Sequence, residues 1–250
     1  MAATNAIQNS PHDRLDPSSA ALLDNPIWSA LTMDHASFAL EAGTGSGAAR
    51  RYPEDIGPLS GMPAQSGEGY AALQTLVPVG GMLGLFFREV PRPPQGWTLV
   101  RGGRLLQMVA LRPALVNTAL PANAELRALT MTDAPAMVEL AELTEPGPFR
   151  QGTIELGGYL GIFQGGRLAA MAGRRMSMPG FVEVSAVCTH PEARGRGYAS
   201  LLMSRVMEGI LQEGRAPFLH AFSDNPAIRV YERLGFTLRQ SFELAVVRRD

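Results

Sequence analysis

The sequence predicts an α/β protein of the α+β kind, with one mixed β-sheet and helices inserted between its strands. Three observations carry that expectation. The C-terminal half runs in the order β-α-(α)-β-β-β-α-β-α-β-β, which is not a regular βαβ alternation. Gly165-Gly166 joins two apolar strand-like runs with the residue pair that a tight hairpin prefers. Phe181–Thr189 alternates Val182, Val184, Ala186 and Cys188 against Phe181, Glu183, Ser185 and Val187, the period of a strand.

The elements follow in order. Residues 1–24 are mostly polar and turn-rich and read as a loose lead-in. A smaller α+β domain is expected over residues 25–120. Asn25-Pro26 opens a short helix through Leu31. His35–Leu40 and Ala48–Tyr52 read as strands around the Gly43–Gly47 run, followed by a Pro/Gly-rich loop over Pro53–Gly67. Tyr70, Leu73, Leu76 and Val77 recur at helical spacing, and Met82–Phe87 reads as a strand. Trp97–Val100 and Leu105–Leu111 read as a hairpin about Arg101-Gly102-Gly103.

A second domain is expected over residues 121–250. Leu126–Thr130 is a strand, and Thr132 or Asp133 caps a helix with Met137, Leu140 and Leu143 on one face. The hairpin strands Tyr159–Phe163 and Leu168–Met176 come next, and Met178-Pro179-Gly180 turns the chain into Phe181–Thr189. After a glycine-rich bend, a helix runs to about Glu213 and stops at Gly214. Pro217–Phe222 is a strand, Pro226–Leu234 a short helix, and Phe236–Arg239 with Phe242–Val247 a last pair of strands.

Composition excludes several chemistries. All 22 basic side chains counted as Lys+Arg are arginine. A lysine-bearing phosphate loop, a kinase third-strand lysine and a Schiff-base lysine are therefore absent. The formal net charge of −1 offers no field for nucleic acid or an anionic membrane. A single cysteine, Cys188, excludes an intramolecular disulfide and a multi-cysteine zinc site, and the four histidines form no ligand pair. No apolar run is long enough to span a bilayer, and the first residues lack a signal core. A cytoplasmic protein without a metal, without nucleic acid and without membrane contact is expected.

The strongest chemical signal follows Phe181–Thr189. In His190-Pro191-Glu192-Ala193-Arg194-Gly195-Arg196-Gly197-Tyr198-Ala199, Pro191 stops the strand, and the helix beyond carries Ala199, Leu202, Val206 and Ile210 at core spacing. No Ser, Thr, Asp or Asn lies between His190 and Tyr198, so the helix entrance has no usual N-cap. Two readings stand: a diphosphate on the bare N–H groups at the positive end of the helix dipole, or a tight bend capped by water.

Arg194-Gly195-Arg196-Gly197-Tyr198-Ala199 resembles the Gln/Arg-x-x-Gly-x-Gly/Ala signature of the GNAT superfamily of acyl-CoA-dependent N-acyltransferases. Val184–Thr189 with His190-Pro191 is similar to the strand ahead of that signature. Asn225-Pro226-Ala227, Tyr231 and Leu234-Gly235-Phe236 resemble the superfamily's Asn…Ala…Tyr-x-x-x-Gly-Phe segment. Three blocks in order are far more specific than one glycine motif. The resemblance covers about residues 125–248, and within the superfamily it is nearest the glycine N-acyltransferase-like proteins, which also carry an N-terminal extension.

The resemblance implies a GNAT fold in the C-terminal half and acetyl-CoA as acyl donor. Backbone N–H groups from Arg194 to Ala199, including those of Gly195, Arg196, Gly197 and Tyr198, would bind the diphosphate, with the Arg194 and Arg196 side chains in support. Main-chain groups of Val187 and Thr189, around Cys188, would pair with the pantetheine arm where the sheet splays before Pro217–Phe222. Asn225 would cap its helix and touch the cofactor, and Tyr231 would sit near the thioester sulfur. An attacking amine must lose a proton, the oxyanion wants an N–H donor, and the thiolate must be protonated. Val187 is the candidate donor and Tyr231 the candidate acid.

Two carboxylates compete for the base. Glu183 shares a strand with the pantetheine contacts and is otherwise a solvent-facing residue near a strand start. Glu155 lies in a segment that often shapes the acceptor pocket and is otherwise a surface acid. Cys188 could form an acyl-enzyme but reads as a small buried strand residue. His190 reads as a turn residue, His220 as a buried strand histidine. The N-terminal half reads as a degenerate copy of the fold, a cover over the acceptor site or a homodimer contact, with Phe86, Phe87 and Trp97 packing on the catalytic half. The expected function is acetyl transfer from acetyl-CoA to a small-molecule amine, an amino acid or a peptide N-terminus. The alternative is a non-catalytic acyl-CoA sensor.

Overall fold

A computed structural model describes residues 16–250 of the chain. The part of the expected lead-in before Asp16, with His12, lies outside the described residues. From Pro17 onward the lead-in is not loose: Pro17–Leu22 is a helix (α1), with Asp16 accepting from the Ser19 N–H at 3.0 Å. Leu23 beyond it is fully buried. Its carbonyl accepts from Gln107 Nε2 (2.9 Å), which ties the segment to the central sheet.

Asn25-Pro26 starts α2 (Pro26–Thr32) as expected, with proline at the first turn. The expected strand at His35–Leu40 is instead a 3-10 turn over Ala36–Phe38, followed by a short strand β1 (Leu40–Ala42). The cause is local: His35 N–H reaches back to Ala30 O and Phe38 N–H to His35 O, so the chain leaves α2 coiled. β1, β2 (Ala49–Arg51) and β3 (Ser60–Gly61) form a small antiparallel sheet against α3 (Gly67–Leu76).

The main sheet has eight strands in the order β4-β11-β5-β10-β9-β8-β7-β6. These are β4 (Met82–Phe87), β5 (Trp97–Val109), β6 (Ala124–Ala128), β7 (Leu160–Gln164), β8 (Arg167–Met178), β9 (Phe181–Thr189), β10 (Ala216–Phe222) and β11 (Thr237–Arg249). β4 and β5 come from the expected N-terminal domain, yet β5 lies between β10 and β11. Residue 120 therefore does not divide the sheet, and one sheet is built from both halves of the chain.

Two expected turns are absent. Residues 97–109 form a single strand, because Gly102 and Gly103 pair with Ala245 and Leu244 instead of turning. Gly103 faces the Phe222 ring, where a Cβ would come within 2.9 Å of a ring carbon. That glycine answers a packing need, not a turn. The expected last two strands are likewise one, β11, with a register shift between Leu238 and Gln240 where the break was expected. The Gly165-Gly166 hairpin between β7 and β8 forms as read, both glycines having positive φ (58° and 80°).

α4 (Ala134–Thr144) lies against one face of β8 and β9, and α2 also contacts β8. Its entrance is set by a capping box between Thr130 and Asp133, on a 3-10 turn that precedes the helix. α5 (Tyr198–Gln212) buries Leu202, Met203, Val206, Met207 and Ile210 against β8 and β9, and Gly214 follows with φ 72°. α6 (Ile228–Arg233) is a single short turn of helix. Among the described residues no helix is long and apolar enough to cross a membrane.

Candidate active site

Position in the site is set by two departures from regular pairing in β9. The first is a bulge. β9 pairs Cys188 with Met171 but Ser185 with Gly173, and Ala186 sits at φ 52°, a left-handed conformation that non-glycine residues seldom adopt. One extra residue flips the alternation. Val182, Val184 and Val187 pack with the α5 core, whereas Ala186 and Cys188 join the α4 core. The expected single face Val182-Val184-Ala186-Cys188 is thus split.

The second departure is a splay. β9 and β10 are parallel neighbours, the sheet's one parallel pair, but they pair only at Phe181, Val182 and Glu183. Beyond that the strands diverge, and Val184–Val187 of β9 and Leu219–Phe222 of β10 line a cavity of about 830 Å³. Asn225 and Tyr231 line the same cavity, as do Arg51, Glu54 and Phe86 from the N-terminal half and Glu142, Glu145 and Arg150 around the end of α4.

Gly195 and Gly197 close the bend after β9 with φ 76° and 77°, so both need the freedom of glycine. Gly197 is the N-cap of α5 and no side chain bonds its first N–H groups, which leaves them as acceptor-seeking donors. Arg194 and Arg196 are exposed. Arg196 reaches Gln164 Oε1 (3.0 Å) and the Glu192 carbonyl, and Arg194 Nε the Thr189 carbonyl at 3.4 Å. The Tyr198 side chain is buried in the α5 core. Ala199 is half-buried in the first turn. The Thr189 hydroxyl is buried with no partner among the described residues. Asn225 Oδ1 accepts from the Ala227 N–H (2.8 Å) in a turn, and α6 begins only at Ile228, so Asn225 shapes the approach to that helix without capping it.

Glu183 does not face solvent, nor does it lie open to the cavity. It is fully buried, with Arg175 Nε and Nη2 donating to its two oxygens (2.7 Å each) and His220 Nδ1 at 2.7 Å. Burial alone would raise its pKa, but the Arg175 charge and the hydrogen bonds of Arg175 and His220 outweigh it and hold Glu183 as a carboxylate. With its oxygens engaged, it is not placed to accept a proton from an amine. Arg175 occupies a β8 bulge between Arg174 and Ser177, which the β-alternation of the sequence does not reveal.

His220 is buried on β10, as expected, among Phe86, Phe218 and Phe242. Its Nε2 faces Gln107 Nε2 at 3.2 Å. Gln107 Oε1 accepts a hydrogen bond from Arg239 Nη1 and its Nε2 donates one to Leu23 O, so the amide nitrogen is the donor to His220. Burial lowers the His220 pKa, and the ring is neutral with its proton on Nδ1. Arg175, Glu183, His220, Gln107 and Arg239 form one hydrogen-bonded relay, which Arg175 and His220 bring to the cavity wall.

Glu155 is exposed on a 3-10 turn (Gln151–Leu156) and does not line the cavity, which corrects its expected place in the acceptor pocket. The neighbouring stretch Glu145–Arg150 does line it. Cys188 is buried with Met137 and Leu140, away from the cavity, and burial pushes its thiol up to about 11. Its side chain is not a cofactor contact. Cys188→Ala is expected to retain full acyl-transfer activity, read as CoA release, which an acyl-cysteine route would not allow. Tyr231 is half-buried at the cavity wall, and burial raises its pKa, keeping the phenol protonated. Among the described residues no group of three or more His, Cys, Asp or Glu side chains is arranged to hold a metal.

A strand pair thus splays beside a glycine-rich, uncapped helix entrance, the arrangement that the GNAT resemblance leads one to expect. A family model described as FR47-like protein matches residues 159–244. A GNAT-family protein of known structure from Novosphingobium aromaticivorans DSM 12444 is 36% identical over 91% of this chain and 98% of its own, with a TM-score of 0.79. The chain belongs to the GNAT family. A GCN5-related N-acetyltransferase from Kribbella flavida shares the fold at 17% identity, covering 90% of this chain and 94% of its own (TM-score 0.58). A GCN5-related N-acetyltransferase-like protein from Streptococcus suis 89/1591 does so at 15%, over 92% and 97% (TM-score 0.58). No curated protein matches the sequence.

Proposed function

We propose that the protein is an N-acetyltransferase that takes an acetyl or short acyl group from CoA to a primary amine by direct attack. The observation that carries this is the single cavity running from the β9/β10 splay to the walls of the N-terminal half. It offers a slot for an extended thioester arm and, continuous with it, room for an acceptor.

The residues present suit acetyl-CoA. Gly195 and Gly197 allow close approach to the bare N–H groups of α5, which suit a diphosphate. Main-chain groups of Val187 and Thr189 would hold the pantetheine arm, since β10 leaves that edge of β9 unpaired beyond Glu183. Bound there, acetyl-CoA supplies an activated thioester carbonyl. The left-handed turn at Ala186 re-aims the neighbouring N–H groups, which supports Val187 as oxyanion donor. Tyr231 holds the proton that the departing sulfur needs. Glu142, Glu145 and Glu54 line the cavity and replace Glu183 and Glu155 as sources of a base, directly or through water.

The sensor alternative has less support, because a sensor needs neither acids in the cavity lining nor a protonated tyrosine at its wall. The narrower likeness to glycine N-acyltransferase-like proteins rests on the three sequence blocks and the N-terminal extension. Calorimetric titration with acetyl-CoA tests the cofactor assignment. Gly197→Val, forcing a β-branched residue to φ 77°, is expected to weaken binding at least about tenfold. Equal affinity in the variant would remove the diphosphate from this bend.

A further inference from the structure

Resting on the reading of this cavity as the acceptor site, we propose that the acceptor amine also carries a carboxylate, and that Arg51 is the residue that binds it. Four arginines line the cavity: Arg51, Arg101, Arg150 and Arg175. Arg175 is neutralised by Glu183. Arg101 is exposed and lies over the Phe222 ring, and Arg150 is exposed. Arg51 differs from all three. It is only 5% exposed, and no carboxylate among the described residues comes within ion-pair distance of it.

A buried guanidinium without a counter-charge is costly. Part of its setting is structural. Arg51 Nε donates to the Tyr52 carbonyl and Nη1 to the Leu76 carbonyl, both at 3.0 Å, and Leu76 is the last residue of α3, where a cation is favoured. Those two bonds leave Nη2 with no acceptor among the described residues, on a side chain that lines the cavity. Glu54 acts on Arg51 electrostatically from the cavity wall but beyond 4.0 Å, and it is itself exposed. A planar fork with a free amino group, held by two backbone bonds, is pre-set for a carboxylate. The exposed Glu142 and Glu145, which also line the cavity, favour an ammonium, so the lining as a whole matches a zwitterion. The fixed position of Arg51, held by β2 and α3, would then select the acceptor by the spacing between its amine and its acid.

The test compares matched acceptors under acetyl-CoA, with CoA release as the readout: amino acids, the same amino acids as their amides, and the corresponding decarboxylated amines. The free acids are expected to be better substrates by at least about tenfold in kcat/KM, the worth of a charge-assisted pair. Arg51→Gln should erase that preference by raising KM for the acids, Arg51→Lys should keep part of it, and acetyl-CoA affinity should stay at the wild-type value in both. Equal use of amides and acids by the wild-type enzyme would overturn the proposal while leaving acetyl transfer intact. A carboxylate on the donor is separated by running succinyl-CoA beside acetyl-CoA. If Arg51→Gln changes the choice of donor and not of acceptor, the acceptor assignment is wrong. Should no acceptor give turnover, calorimetry with N-acetyl amino acids decides independently. Binding that is lost in Arg51→Gln upholds the carboxylate site, and no binding to the wild type overturns it.

Discussion

Replacing Glu183 with glutamine is expected to destabilise the protein by about 3–5 kcal/mol, although the residue touches nothing in the proposed reaction. The change leaves the Arg175 guanidinium, itself largely buried, without its counter-charge, and the surviving partner of a broken buried pair accounts for most of the cost. His220 loses the acceptor of its Nδ1 proton at the same time. Arg175→Met should cost a similar amount, and Arg175→Met with Glu183→Gln together should cost less than the two losses added, because no charge is then stranded. Chemical denaturation of the four proteins reads this out. Additive losses would mean that the relay is not one unit.

The same relay sets an acid limit. Glu183 is held below the ordinary glutamate value of 4.5, so its contribution is fully present above that value and is lost as the pH falls below it toward the native pKa. His220, neutral in the fold because burial lowers its pKa, acts with the same sign from its ordinary 6.5 downward, since the unfolded chain binds that proton more readily. Stability should therefore fall on acidification, and Glu183→Gln should flatten the steepest part of the curve.

Tyr231→Phe is expected to lower kcat by about 10²–10⁴-fold with acetyl-CoA affinity unchanged. The hydroxyl is the one atom removed, and no hydrogen bond to it is made within the described residues, so the fold loses little packing. Burial keeps the phenol in its acid form, which is what protonation of a leaving thiolate requires. A structural role would show as a lower melting temperature with kcat intact. An acid role shows as lost kcat at equal stability.

Much of the candidate site's geometry was legible because its signals are local. Gly195 and Gly197 mark a bend that only glycine makes easily, and the missing cap before Tyr198 marks the bare helix end. The fold of the C-terminal half followed from the Gly165-Gly166 turn and the alternation of Phe181–Thr189. What failed depends on long-range pairing. Gly102-Gly103 looks like a turn until β11 and Phe222 are placed beside it. The bulges at Ala186 and at Arg175 are set by the register between β8 and β9, and they moved Glu183 from a candidate base to the centre of a buried ion pair. A partial signal existed: Arg175 and Glu183 flank the Met178-Pro179-Gly180 turn, so a hairpin brings them near one another. Arg51 had none, since its burial comes from α3 and from the cavity wall it helps to build.

The measurement that bears most directly on the central claim is an acceptor screen that follows free CoA, with acetyl-CoA as donor and both wild-type enzyme and Tyr231→Phe in parallel. The account predicts CoA release that depends on an added amine, with mass spectrometry showing one acetyl group on that amine, and a large loss of rate in Tyr231→Phe. Tight acetyl-CoA binding without release for any amine, or equal rates in the two proteins, would contradict it.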